Sequence, residues 1–226
     1  MKTNNEELKV QYHNWNEISI NKYYEIADIF KSEDTEFEMW VRLLAVLCDV
    51  DEDAIYNLPY ATVQRMFGEI RWVHNFNAFN ANNDKIKFKH ITINGTKYNV
   101  DVNLQNFTVS QYIDFQTFWK AKDLQKYYGN ILAIFFIPEG HKYGEDYDIS
   151  KLAEDIRDNV SIVTANQVCF FFLNTYLLSI RAMLIYCNWI LKRTLRKKKM
   201  KEAEMIREKM KELEKTIMDG FPSLIK

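Results

Sequence analysis

Seven of the ten residues from Lys192 to Lys201 are cationic: Lys192, Arg193, Arg196, Lys197, Lys198, Lys199 and Lys201. On a helix such a run can attract nucleic-acid phosphates without reading base sequence, and that attraction weakens steeply with salt. It can equally meet an acidic partner, flank a membrane segment, or be a solvated stretch with no ligand. Directly after it, Ala203, Ile206, Met210, Leu213 and Ile217 recur at 3-4-3-4 spacing, with Glu and Lys between them. This is two heptads of an amphipathic stripe, fewer than a self-sufficient coiled coil uses. Such an arm cannot fold alone, so its stripe needs a covering surface.

Other chemistry-bearing residues form no motif. Asp49, Asp51, Glu52 and Asp53 are the densest carboxylates. They lack the twelve-residue calcium-loop pattern with its central glycine, and they read as a helix-start cluster that complements the macrodipole. Glu145, Asp146 and Asp148 lie in a loop and read the same way. His13, His74, His90 and His141 are scattered, none four residues from another His or Cys. Cys48, Cys169 and Cys187 show no CxxC spacing and sit in apolar surroundings, as reduced core thiols do. The glycine loops GxGxxG, GxxxxGK and GxSxG are missing. The sequence therefore predicts no enzyme, no catalytic residue, no metal and no cofactor.

The elements that must position the basic run come from a duplication at an offset of 89 residues. Ile18 to Phe30 matches Phe107 to Trp119, and Leu43 to Leu47 matches Leu132 to Phe136. The second copy is enlarged by about 13 residues near Glu139 to Ser150. The match then resumes at offset 102, pairing Asn57 with Asn159 and Thr62 with Thr164. Repetition of this kind builds a scaffold. Helices are predicted from Ser19 or Asn21 to about Lys31, from Thr35 to Cys48, over Glu52 to Asn57, and on to about Val73. A short strand is expected where Leu8, Val10 and Tyr12 alternate. Alternating segments on either side of Asn94-Gly95 predict a β-hairpin, since both turn positions favour positive φ. One last helix is expected from Thr164 to Met218. The expected class is mainly α with a small β-hairpin. It divides into a first helical repeat (1–80), a hairpin linker (81–106), a second repeat (107–191) and a basic amphipathic arm (192–226).

Composition fits that scheme. Of 226 residues, 47% are hydrophobic and 15% aromatic, enough for a sizeable core, while a net charge of -1 gives no global pull towards nucleic acid. The polar, acidic start reads as no signal peptide, so synthesis in the cytoplasm is expected. Val168 to Leu191 is long enough to span a membrane, and cations follow it. Arg181 near its centre, with Asn174, Thr175, Ser179 and Asn188, argues instead for a helix buried in a core or a subunit interface. Trp15, Trp40, Trp72, Trp119, Trp189 and Phe170-Phe171-Phe172 read as core or as interface anchors.

Three phrases carry a resemblance. Trp15 to Tyr23 is similar to the opening in which an aromatic and an Ile-Ser-Ile phrase lead into a helix. Leu44 to Pro59 is similar to a second phrase ending Glu-Asp-x-Leu-x-x-Leu-Pro, though Cys48-Asp49 stands where Thr-Gly is usual. Ile91 to Tyr98 is similar to an Ile-Asn-Gly hairpin. In this order they resemble tail-assembly-chaperone-like and related structural proteins of tailed bacteriophages, particularly those of gut Bacteroidales. The resemblance implies a non-enzymatic virion protein of a head, neck, tail or packaged cargo. It would be a homo-oligomer in contact with other phage structural proteins, with the basic run free to touch packaged DNA non-specifically. The alternatives are a cytoplasmic tail-assembly chaperone and, less favoured, a membrane-associated protein using residues 168–191.

Overall fold

The computed structural model describes residues 8–75, 86, 88–121, 124–196 and 199–220. The chain is mainly helical with one small antiparallel sheet. Helices α1 (Ile20–Lys31), α2 (Glu36–Cys48), α3 (Glu52–Tyr56) and α4 (Tyr60–Glu69) come first, followed by a 3-10 turn at Arg71–His74. Strands β1 (His90–Ile93) and β2 (Thr96–Val100) follow. Then come α5 (Val109–Trp119), α6 (Leu124–Phe135), β3 (Phe136–Pro138), α7 (Ile149–Asn159), α8 (Ile162–Arg196) and α9 (Met200–Gly220).

Helix starts carry the caps their sequences offer. The Ser19 hydroxyl accepts from Lys22 N–H at the start of α1, and the Thr108 hydroxyl accepts from Gln111 N–H at the start of α5, 89 residues later. Thr35 with Glu38, and Thr108 with Gln111, complete reciprocal capping boxes. Asp148 caps α7 through Ser150 and Lys151 N–H, so the loop carboxylate here serves a helix end.

The hairpin turns at Asn94 and Gly95, with φ of 48° and 78°. A third strand, β3, pairs antiparallel with β2, setting Tyr98 opposite Pro138. Periodicity did not reveal it, because Leu132 to Pro138 is an unbroken apolar run, buried except for the half-buried Ile137, in which strand and helix look alike. The strand expected at Leu8 to Tyr12 does not form. That segment instead buries Val10 and donates Gln11 N–H to the Leu47 carbonyl at 2.9 Å.

One continuous core runs through both copies, with Ile18, Leu43, Phe115, Phe135, Phe136 and Phe172 all under 2% exposed. The copies are stitched at their starts. Ile20 N–H donates to Val160 O at 3.2 Å, and Ile162 N–H donates to Ile18 O at 2.8 Å. Helices α6 and α7 approach so closely at Gly129 that a Cβ there would lie 2.4 Å from the Ala153 carbonyl oxygen.

The single helix expected from Thr164 to Met218 is two helices. α8 ends at Arg196, Lys199 N–H reaches the Thr194 carbonyl at 3.3 Å, and α9 starts at Met200. α9 packs along α8, and its Leu213 reaches the core cluster, whose last α8 member is Ile180. So α9 runs back along α8. A continuous rod would have left Ala203, Ile206, Met210 and Leu213 in water, and the return of α9 along α8 gives them an apolar seat.

A candidate protein-docking face on the last two helices

A charged cleft of about 800 Å³ lies between α1 and α2 and is lined by Lys22, Glu25, Asp28, Arg42, Asp49 and Glu52 among others. Both of its cations are ion-paired. Asp49, at the left-handed C-cap of α2, is ion-paired with Lys22 and accepts from the Tyr12 hydroxyl at 3.0 Å. Desolvation pulls Lys22 down, but Asp49 and Tyr12 together outweigh it and hold the ammonium charged. Burial and the Asp49 carboxylate both push Tyr12 up. Arg42 is paired with Asp34 and Glu52. This is a network of ion pairs with no activated nucleophile. Among the described residues, no three His, Cys, Asp or Glu side chains come together as a metal site.

A second hollow, about 330 Å³, opens where the copies meet, lined by Tyr23, Tyr24, Trp119, Tyr128, Cys169 and Leu173 among others. Tyr128 donates to Asn166 Oδ1 at 2.7 Å. Burial pushes the Cys169 thiol up to about 12 and the Cys48 thiol up to about 11, so neither is a thiolate near neutral pH.

The cationic run surrounds the α8–α9 turn. Lys192, Arg193, Arg196, Lys199 and Lys201 are exposed, while Lys197 and Lys198 lie outside the described residues. Lys199 pairs with Glu202 at 2.7 Å. The Arg193 guanidinium sits 5.4 Å from the centre of the Trp189 ring. The stripe expected to await a partner is seated within the chain: Ala203 is fully buried, and Ile206, Met210 and Leu213 are half-buried. The Ile217 side chain lies outside the described residues. The matching face of α8 shows the complementary 4-3-4-3 spacing, with Ile180 and Thr194 buried and Leu184, Cys187 and Leu191 half-buried.

The opposite face of α8 is bare. Leu178 (63% exposed), Ile185 (71%), Tyr186 (59%) and Trp189 (54%) lie on it with the exposed Ala182. The steps Leu178 to Ile185 and Ala182 to Trp189 are both seven residues, so one stripe runs down one side of the helix. Tyr186 and Trp189 stack with ring centres 6.1 Å apart. Lys192, Arg193 and Arg196 stand three, four and seven residues beyond Trp189 and extend the same face. α8 therefore carries two apolar faces over its second half, one covered by α9 and one open.

By length and composition α8 is also the one described helix able to cross a membrane, yet only 29% of its most apolar 18 residues are buried. The bare stripe spans 12 residues, roughly 17 Å along the axis, well short of the ~30 Å hydrocarbon core. Arg181 and Asn188 are exposed beside it.

Compared with protein-family profiles, curated protein sequences and solved structures, the chain shows no significant match. What the structure adds to the sequence is the division of α8 into two faces. The seven-residue steps from Leu178 and Ala182 were present, but they were merged with the 180-184-187-191 series into one uniformly apolar run.

Proposed function

We propose that this chain is a non-enzymatic structural protein of a bacteriophage particle, in its head, neck, tail or packaged cargo, acting through protein–protein contacts. The observation that carries the reading is the bare α8 stripe, an exposed set of Leu, Ile, Tyr and Trp continued by Lys192, Arg193 and Arg196. Trp, Tyr and Arg are the side chains that concentrate binding energy at interfaces. Two further features fit this reading: Lys22 and Arg42 in the charged cleft are held in ion pairs, and burial pushes the Cys48 and Cys169 thiols up. The cations at the hairpin tip suit an acidic neighbour or the phosphates of packaged DNA.

A second reading, an assembly chaperone present only while particles form, draws on the apolar hollow between the copies, which is open to a short extended segment. Mass spectrometry of purified particles separates the two. A structural subunit is found in the mature particle at a fixed ratio to its neighbours. A chaperone is found in the lysate and not in the particle.

A further inference from the structure

We propose that the bare face of α8 is the seat of a second copy of this chain, the two α8 helices packing antiparallel about a two-fold axis near Ala182 and Ile185. Four observations select this occupant. The stripe is self-complementary: Leu178 and Trp189 stand about equally far on either side of that centre, so an antiparallel copy sets each Leu178 against the other chain's Trp189. Ala182, the one small residue of the stripe, sits where the axes cross and lets the backbones approach. Charge fixes the direction. A parallel pair would stack Lys192, Arg193 and Arg196 on their own copies, whereas the antiparallel pair moves the two cationic clusters to opposite ends, each beside the uncharged Asn174 and Thr175 of the other chain.

Size and rigidity agree. Four large half-exposed side chains per copy bury on the order of 1,000 Å² over both chains, the lower end of what a specific interface uses. Tyr186 is already stacked on Trp189, and Arg193 lies over the same ring, so these anchors lose little freedom on pairing. Each α8 is backed by its own α9, and the product is a layer of four helices with the two α8 helices inside and the α9 helices outermost. The arrangement rests on the proposed role as an assembly subunit, and it supplies the first contact of that assembly.

The test is light scattering on the full chain, with monomer mass 27.1 kDa, at about 100 µM, well above a micromolar dissociation constant. Twice the monomer mass is expected. Ile185→Asp, at the most exposed position of the stripe, restores the monomer with unchanged helical content, as does Leu178→Asp. A Leu178→Cys chain mixed with a Trp189→Cys chain, both carrying Cys187→Ser, gives an oxidised heterodimer, while Leu178→Cys alone does not. A wild-type monomer at this concentration overturns the proposal. So does a dimer that survives Ile185→Asp, or a monomer that binds lipid vesicles through this face. A monomer that is still found in particles removes the pairing and leaves the structural role. A dimer absent from particles does the reverse.

Discussion

Asn57 and Asn159 stand 102 residues apart and make the same bond. Each side-chain amide donates to the backbone carbonyl four residues earlier, Asn57 to Asp53 at 2.8 Å and Asn159 to Asp155 at 2.9 Å. Each stands at the end of a helix, α3 or α7, just before the next helix begins, and its side chain adds a bond to a carbonyl of the last turn; the Asp53 carbonyl also accepts from Asn57 N–H at 3.1 Å. Replacing either with Ala should lower stability by about 0.5–1 kcal/mol, read from urea midpoints.

Two glycines in helix interiors should respond to Ala with opposite signs. Gly68 in α4 has nothing within 4 Å of an added Cβ, so Gly68→Ala should stabilise by about 0.5–1 kcal/mol through helix propensity. Gly129 in α6 would drive its Cβ to 2.4 Å from Ala153 O and 2.8 Å from Arg157 Cγ. A backbone atom cannot swing aside, so Gly129→Ala should destabilise by about 1–3 kcal/mol by forcing α6 and α7 apart. Thermal unfolding of the two variants side by side checks both.

The capping boxes differ in one titratable group. The Thr35 hydroxyl and backbone N–H bond to the Glu38 carboxylate and hold it below the ordinary value of 4.5. A depressed folded value means that this stabilisation is complete above about pH 4.5 and is lost as pH falls through the lower folded value. Glu38→Gln should therefore weaken the fold at pH 7 and make little difference at about pH 3. The second box uses Gln111, which does not titrate, so Gln111→Ala should show no such convergence. Urea unfolding at both pH values decides this.

How far the sequence could be read depends on the element. Ser19 and Thr35 marked their helices, and Asn94-Gly95 marked the hairpin, because caps and turns are local chemistry. The third strand was hidden in a fully buried run. The fate of the last helix was hidden for a different reason. A 3-4 stripe at Ala203 to Leu213 says that a surface must cover it but not whose, and no glycine or proline stands between Arg196 and Met200 to separate the two helices. The open face of α8 followed from that ambiguity: until α9 has taken one side, Leu178, Ile185 and Trp189 are indistinguishable from residues that face it.

Because Ala203 is fully buried against α8, Ala203→Glu should release α9 by burying an unpaired charge. Hydrogen exchange in α9 should then rise while protection around Phe115 and Phe135 stays high. Loss of protection in both places would mean that the hairpin is integral to the core.

The central claim is that the chain is built into a particle through the α8 face, and quantitative mass spectrometry of purified particles tests it most directly. Wild-type chain and the folded Ile185→Asp variant should be supplied separately to the assembling system and their copies per particle counted. The account predicts a fixed stoichiometry for the wild type and at least a tenfold loss for the variant. Particles lacking the wild-type chain, or incorporating both forms equally, would contradict it.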